Sequence, residues 1–186
     1  MRERMERILF TEETIQRRVK DIGKVISSDY QTAGAAKDIE CRPLIAVCIL
    51  QGAMMFMADL MRAIEIPVEY DFMSISSYGS STSPGAVRLL QDLSHSITGR
   101  DVLIVEDIVD TGFTANYIKR GLLARNPASF RICTLLDKPF RREETIEMDY
   151  VGFFLEEDLF VVGYGMDYAG VYRNLSYIAL LKPEYK

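Results

Sequence analysis

Apolar positions along the chain fall into two kinds of pattern, and their alternation predicts the architecture. Ile15, Val19, Ile22 and Ile26 recur at helical spacing, which lays one apolar stripe along an amphipathic helix. Thr11 is placed to cap that helix, with Glu12 and Glu13 at its positive end. Leu44-Ile45-Ala46-Val47-Cys48-Ile49-Leu50 is then an unbroken apolar run, as expected of a strand buried on both faces of a parallel sheet. Gln51-Gly52 ends it, and residues 53–64 predict a Met-rich helix whose methionines belong to the core. Residues 68–72 alternate as a second strand, while 102–105 and 130–136 are further buried strands. A helix over about 114–125 separates the last two. Strands alternating with helices predict an α/β fold, a mainly parallel twisted sheet flanked by helices. With no repeat or linker, residues 1–186 are expected to form one domain.

Composition narrows the partners. Hydrophobic residues at 48% and charged residues at 26% give the balance of a soluble globular chain. A net charge of −5 with no broad basic face argues against a nucleic-acid partner. Arg141-Arg142 beside Glu143-Glu144 reads as solvated surface. No run of about 18 apolar residues exists, which argues against a membrane partner, and the charged N-terminus lacks an apolar signal core. Cys41, Cys48 and Cys133 lack metal-ligand spacing, and two lie in apolar runs; buried reduced thiols in a cytoplasmic protein are expected. His95, between Ser94 and Ser96, belongs to no catalytic arrangement.

The candidate chemistry sits where the third strand ends. Glu106 and Asp107 follow the apolar run, and Asp110-Thr111-Gly112-Phe113-Thr114 forms a tight turn opening a helix. Ligands bind beyond the carboxyl ends of strands in open parallel sheets. The turn's backbone N–H groups and the helix dipole suit a phosphate. Carboxylates do not bind phosphate directly, so Glu106 and Asp107 need sugar hydroxyls or a magnesium ion. Earlier in the chain, Ser76 to Gly85 is rich in small polar residues, which predicts a mobile loop over about 77–89.

Residues 102–114, with two acids, two apolar residues and then D-T-G-x-T, resemble the phosphoribosyl-diphosphate motif of type I phosphoribosyltransferases. Leu135-Leu136-Asp137-Lys138, the stretch from Phe160 to Tyr168, Tyr172-Arg173-Asn174-Leu175 and Ser77-Tyr78 look like segments of the hypoxanthine (hypoxanthine–guanine) phosphoribosyltransferases. The similarity runs in order from about Ile45 to Ile178. It implies a small hood over the base site and magnesium-dependent transfer of a phosphoribosyl group to hypoxanthine or guanine, through a ribosyl cation-like transition state.

The resemblance also implies roles. Glu106 and Asp107 would hold the ribose hydroxyls, directly or through metal and water. Asp110 would take the purine N7 proton, and Thr111, Gly112, Phe113 and Thr114 would cradle the phosphate. Lys138 would donate to the purine O6, Phe160 would stack on the base, and Val161 would offer backbone groups to its edge. Asp167 would hold a second magnesium, and Arg173 would meet the diphosphate. Gln51-Gly52 would present backbone N–H groups to diphosphate beside a cis bond; many relatives carry Lys where this chain has Gln51. Relatives are dimers or tetramers, so a homo-oligomer is expected. The alternative is a regulatory protein of the same fold that senses phosphoribosyl diphosphate.

Overall fold

The computed structural model describes residues 2–32, 43–77 and 87–185. Helix α1 (Glu12–Thr32) begins where expected: the Thr14 backbone N–H donates to Thr11 Oγ1 at 3.3 Å. Ile15, Val19, Ile22 and Ile26 are all buried, so the apolar stripe of α1 is a core face.

A six-stranded sheet runs β4 (Val87–Gln91), β3 (Val68–Ser77), β2 (Leu44–Leu50), β5 (Asp101–Val109), β6 (Ser129–Asp137), β7 (Tyr150–Phe154). Every pairing is parallel except β3 with β4. On β2, Leu44, Ala46 and Cys48 enter the core beneath α1 and α2 (Met54–Ala63), whereas Ile45, Val47 and Ile49 face α3 (Phe113–Leu123). Both faces are covered, which is why the run carries no polar residue.

A second, antiparallel sheet of β1 (Met5–Phe10), β9 (Ile178–Leu181) and β8 (Val161–Val162) forms the hood. Its small core gathers Met5, Val162, Tyr172, Ala179 and Leu181.

Several elements depart from the expectations. Strand β5 continues to Val109, so Glu106 and Asp107 lie within the strand rather than in a turn. Pairing to β6 persists through Glu106 and beyond, and this ladder outweighs the low strand propensity of acids. Residues 87–89, assigned to the loop by composition, are strand because β4 pairs with β3; residues 78–86, Tyr78 included, lie outside the described residues. The methionines of α2 divide, with Met57 buried and Met54 exposed. Cys48 and Cys133 are buried free thiols, and burial pushes the Cys48 thiol up to about 12; Cys41 lies outside the described residues. Among the described residues no helix is long and apolar enough to cross a membrane.

Candidate active site

Strand periodicity sets the acids apart. Successive side chains on a strand point to opposite faces. Val102 and Ile104 pack toward α3 while Leu103 and Val105 pack toward α1 and α2, so Glu106 and Asp107 turn to opposite sides of β5. Glu106 is buried and Asp107 half-buried. Desolvation, then the neighbouring Asp107, pushes the Glu106 carboxyl well above its ordinary range. Desolvation raises Asp107 to about 6, against the lowering effect of backbone N–H groups including that of Ile108. Two acids whose charge is this poorly solvated favour a cationic partner.

After β5 the chain turns through Asp110-Thr111-Gly112 into α3. Gly112 has φ +93°, and a Cβ there would lie 2.3 Å from the carbonyl oxygen of Glu144. The turn is tied down from that side, because the backbone N–H groups of Glu143 and Glu144 donate to the Thr111 carbonyl at 2.9 and 3.0 Å. A cavity of about 270 Å³ opens here, with Glu106, Asp107, Asp110, Thr111, Gly112 and Thr114 in its wall. Phe113 starts α3 and is half-buried; it is not one of the lining residues.

Behind this cavity the bond between Leu50 and Gln51 is cis. A Cβ on Gly52 would fall 1.8 Å from Asp107 Oδ2, and a Cβ on Gly165 (φ +101°) would fall 2.0 Å from the Gly52 carbonyl oxygen. Hood, loop and strand are therefore stacked Gly165 on Gly52 on Asp107, a spacing only glycines permit. Gln51 is exposed at this edge.

A second cavity of about 240 Å³ shares Asp107, Ile108 and Asp110 with the first. Lys138, Arg141, Phe160, Val161 and Asp167 complete its polar and aromatic wall. Lys138, an ordinary surface residue by sequence, is buried, and its Nζ donates to Asp158 Oδ1 and the Leu159 carbonyl, both at 3.1 Å. Phe160 is 44% exposed, and its ring stands at right angles to that of Tyr168 with centroids 5.7 Å apart. Val161 is buried at the start of β8. Asp167 Oδ1 pairs with Arg173 Nη2 at 2.6 Å, and its Oδ2 accepts from the Gly170 backbone N–H at 2.7 Å. Arg173 also donates to the Gly165 carbonyl at 2.6 Å. Ser77 is the last residue of β3.

The structure thus brings Glu106, Asp107, Asp110, Thr111, Gly112 and Thr114 to one cavity and Lys138, Phe160, Val161 and Asp167 to an adjoining one. It also adds residues that sequence reasoning passed over. Arg141 Nε lies 3.5 Å from Asp110 Oδ1, and Arg142 pairs with the buried Asp137. Arg141 is exposed, as expected of solvated surface, but it stands at the cavity wall, and Arg142 is turned inward onto Asp137. The pair's mixture with glutamates hid it, and only its closeness to Lys138 could have flagged it. His95 Nδ1 lies 3.5 Å from Asp71 Oδ2, away from both cavities.

A metal was expected at Glu106, Asp107 and Asp167. Among the described residues no three carboxylate, imidazole or thiol groups converge as a protein cage. A magnesium ion bound mainly through substrate phosphates and water needs only one or two carboxylates. Asp107 and Asp167 share a cavity wall, and the Asp167 charge opposes ionisation of Asp107. The donor set fits such an ion.

With this geometry in place, the comparisons with known proteins are consistent throughout. The model of the phosphoribosyl transferase domain matches residues 13–169. The hypoxanthine-guanine phosphoribosyltransferase of Mycobacterium tuberculosis is 49% identical over 95% of this chain and 86% of its own length. That of Bacillus subtilis is 47% identical, covering 98% and 97% respectively. Among solved structures, the Trypanosoma cruzi hypoxanthine phosphoribosyltransferase in complex with the product IMP superposes with a TM-score of 0.91 at 44% identity, over 99% of this chain and 98% of that one. Motif order, paired cavities and near-complete similarity converge: the chain belongs to the phosphoribosyl transferase family, among its hypoxanthine-guanine phosphoribosyltransferases.

Proposed function

We propose that the protein transfers the 5-phosphoribosyl group of phosphoribosyl diphosphate to hypoxanthine or guanine, yielding the nucleoside monophosphate and diphosphate in purine salvage. The observation that carries this reading is the junction of the two cavities at Asp107 and Asp110. One offers a helix-opening turn for a phosphate. The other offers a buried ammonium and a partly exposed aromatic ring for a planar oxopurine.

In this reading the backbone of Thr111 to Thr114 binds the phosphate of the ribosyl group. Glu106 and Asp107 hold the ribose hydroxyls and oppose positive charge developing on the ring, as preorganised anions do. The Gln51-Gly52 backbone and Arg173 receive the diphosphate. Lys138 donates to O6, Phe160 stacks on the base, and Val161 meets its edge through the backbone. The C1′–oxygen bond to diphosphate breaks as the bond to the purine nitrogen forms, and Asp110 accepts the proton of N7. Glu106 and Asp107 would hold one magnesium ion and Asp167 a second, and the chemistry these would supply when bound is neutralisation of charge on the diphosphate.

Homo-oligomeric assembly in the cytoplasm, as a dimer or tetramer, belongs to the same proposal. Tyr70 on β3 and Leu90 on β4, 62% and 57% exposed, supply apolar surface outside the site, and the buried thiols of Cys48 and Cys133 suit a reducing compartment. The test is product formation with hypoxanthine, guanine, xanthine and adenine, with magnesium and phosphoribosyl diphosphate. An ammonium has three donors and no acceptor, so it repels the 6-amino group of adenine, which should be worse by about 10⁴–10⁵. Efficient use of adenine would overturn the oxopurine assignment.

A further inference from the structure

Lys138 cannot select a 6-oxo group merely by being positively charged in a cavity. An ammonium rotates, and it sits on a flexible stem. What is unusual here is how completely Lys138 is held. Its side chain is 6% exposed, and two of its three donors are taken, by Asp158 Oδ1 and the Leu159 carbonyl, each at 3.1 Å. The two acceptors are consecutive residues of the loop leading into Phe160 and Val161, so the loop that brings the aromatic ring also brings the anchors. One donor remains, in the cavity whose wall includes Lys138, Phe160 and Val161.

Asp158 itself is a surface residue, 53% exposed at its side chain. By sequence alone it is one acid among Glu156, Glu157 and Asp158. Its Oδ1 also lies 3.6 Å from Arg141 Nη1, and Arg141 in turn faces Asp110. The Lys138 hydrogen bond holds the Asp158 carboxyl below its ordinary range. Charges therefore alternate Lys138, Asp158, Arg141, Asp110 around the mouth of the cavity, and Asp158 is the anion both cations share.

We propose that Asp158 is a positioning residue for base specificity: together with the Leu159 carbonyl it pins two donors of Lys138 and leaves one aimed at the 6-oxo group of the purine. This rests on the assignment of Lys138 as the O6 donor. Asp158 touches no substrate atom in this scheme and acts through Lys138 alone. Without it the ammonium keeps its charge but loses its direction, and gains freedom to swing toward Arg141's other partner, Asp110.

The test compares affinities, by calorimetry, for inosine monophosphate and for purine riboside monophosphate, which differ in the C6 oxygen and in the N1 proton that accompanies it. The unmodified protein should prefer the 6-oxo nucleotide by about ten- to a hundredfold, the span of a charge-assisted hydrogen bond. Asp158→Ala should take most of that preference away, with Asp158→Asn between the two, while affinity for magnesium phosphoribosyl diphosphate stays within about twofold. A merely structural role would weaken all three ligands together. In a double-mutant cycle with Lys138→Met, Asp158→Ala should add almost nothing to the lost preference. Full preference in Asp158→Ala, or additive losses in the cycle, would overturn the positioning role. If Lys138→Met itself kept the preference, the O6 assignment would fall instead, so the two failures are distinguishable.

Discussion

The two halves of the molecule are built by different rules. In the proposed reading the six-stranded sheet carries the phosphoribosyl side of the site, and the hood much of the purine side; the former stands on the end of β5, where a buried ladder fixes the backbone before any side chain is placed. The latter stands on a two-residue strand and on loops between Phe160 and Arg173, where positive φ values recur at Tyr164, Ala169 and Tyr172. Positive φ is uncommon for residues other than glycine and is kept only where the surroundings fix it. In that reading a backbone site at the carboxyl end of an interior strand recognises what every phosphoribosyl substrate shares. A side-chain site in a loop-rich hood recognises what distinguishes one base from another.

Substitutions can separate the halves. The largest effect is expected where they meet. Asp110→Asn preserves shape but removes the proton acceptor, and turnover should fall by roughly 10²–10⁴. Because the turn's backbone still forms, affinity for phosphoribosyl diphosphate should stay within a few-fold. Single-turnover and binding measurements read the two separately; near-normal turnover would remove this carboxylate from the chemistry.

The next largest effect is expected at the joint. Gly165→Ala sets a Cβ 2.0 Å from the Gly52 carbonyl at a φ of +101°. Hood and sheet must part, and a displacement near 1 Å costs about 10² in kcat/KM. Both substrates should suffer, unlike any change confined to one half. Gly121→Ala on α3, where a Cβ meets nothing within 4 Å, is the control expected to leave activity unchanged. A Gly165→Ala protein of normal activity would show that the halves are not locked together.

Within the hood, Phe160→Ala should raise KM for the base about ten- to a hundredfold, since stacking a base on an aromatic face contributes about 1–3 kcal/mol. KM for phosphoribosyl diphosphate should hardly move. An equal rise for both would mean that Phe160 shapes the joint rather than the base pocket.

The same contrast decided what could be read in the sequence. The β2 run and the D-T-G turn were legible because burial on both faces and a phosphate-binding turn each demand a local pattern. Strand β1 was not: its pairing with β9 shifts register between Met5 and Arg7 and again between Ile8 and Phe10, so no alternation survives in Met5-Glu6-Arg7-Ile8-Leu9-Phe10. Strand β8 is too short for a period. Lys138, Phe160 and Asp167 were identified only through resemblance, because a buried Lys and an exposed Phe invert the ordinary expectation for their types. Arg141 was hidden by its mixture with glutamates and Asp158 by its acidic neighbours, and the two come together only in the folded chain.

The smallest predicted effect concerns stability and again separates the halves, since the acids with raised pKa among the described residues lie on the six-stranded sheet: Glu106 and Asp107 on β5, and Asp137 at the end of β6. An acid whose folded pKa exceeds its unfolded value binds more protons when folded over the interval between them. Stability there falls as pH rises. For Asp107 the interval runs from an ordinary value near 4 to about 6, and Glu106 extends it upward. Asp158 and Asp92 are lowered, so their contributions are lost only as pH drops through the range below about 4 and do not oppose this trend at neutral pH. The ligand-free protein should therefore melt a few degrees lower at pH 8 than at pH 5, a shift of about 2–4 °C per kcal/mol for a chain of this size. Asp107→Asn, the same shape without the charge, should flatten the slope and raise Tm at pH 8. Magnesium with phosphoribosyl diphosphate binds the ionised acids, so its stabilisation should be greater at pH 8 than at pH 5. Thermal melts across pH, with and without these ligands, check both signs. A Tm that rises from pH 5 to pH 8 in the free protein, and equally in Asp107→Asn, would show that the strain of charging these two acids is not stored in β5.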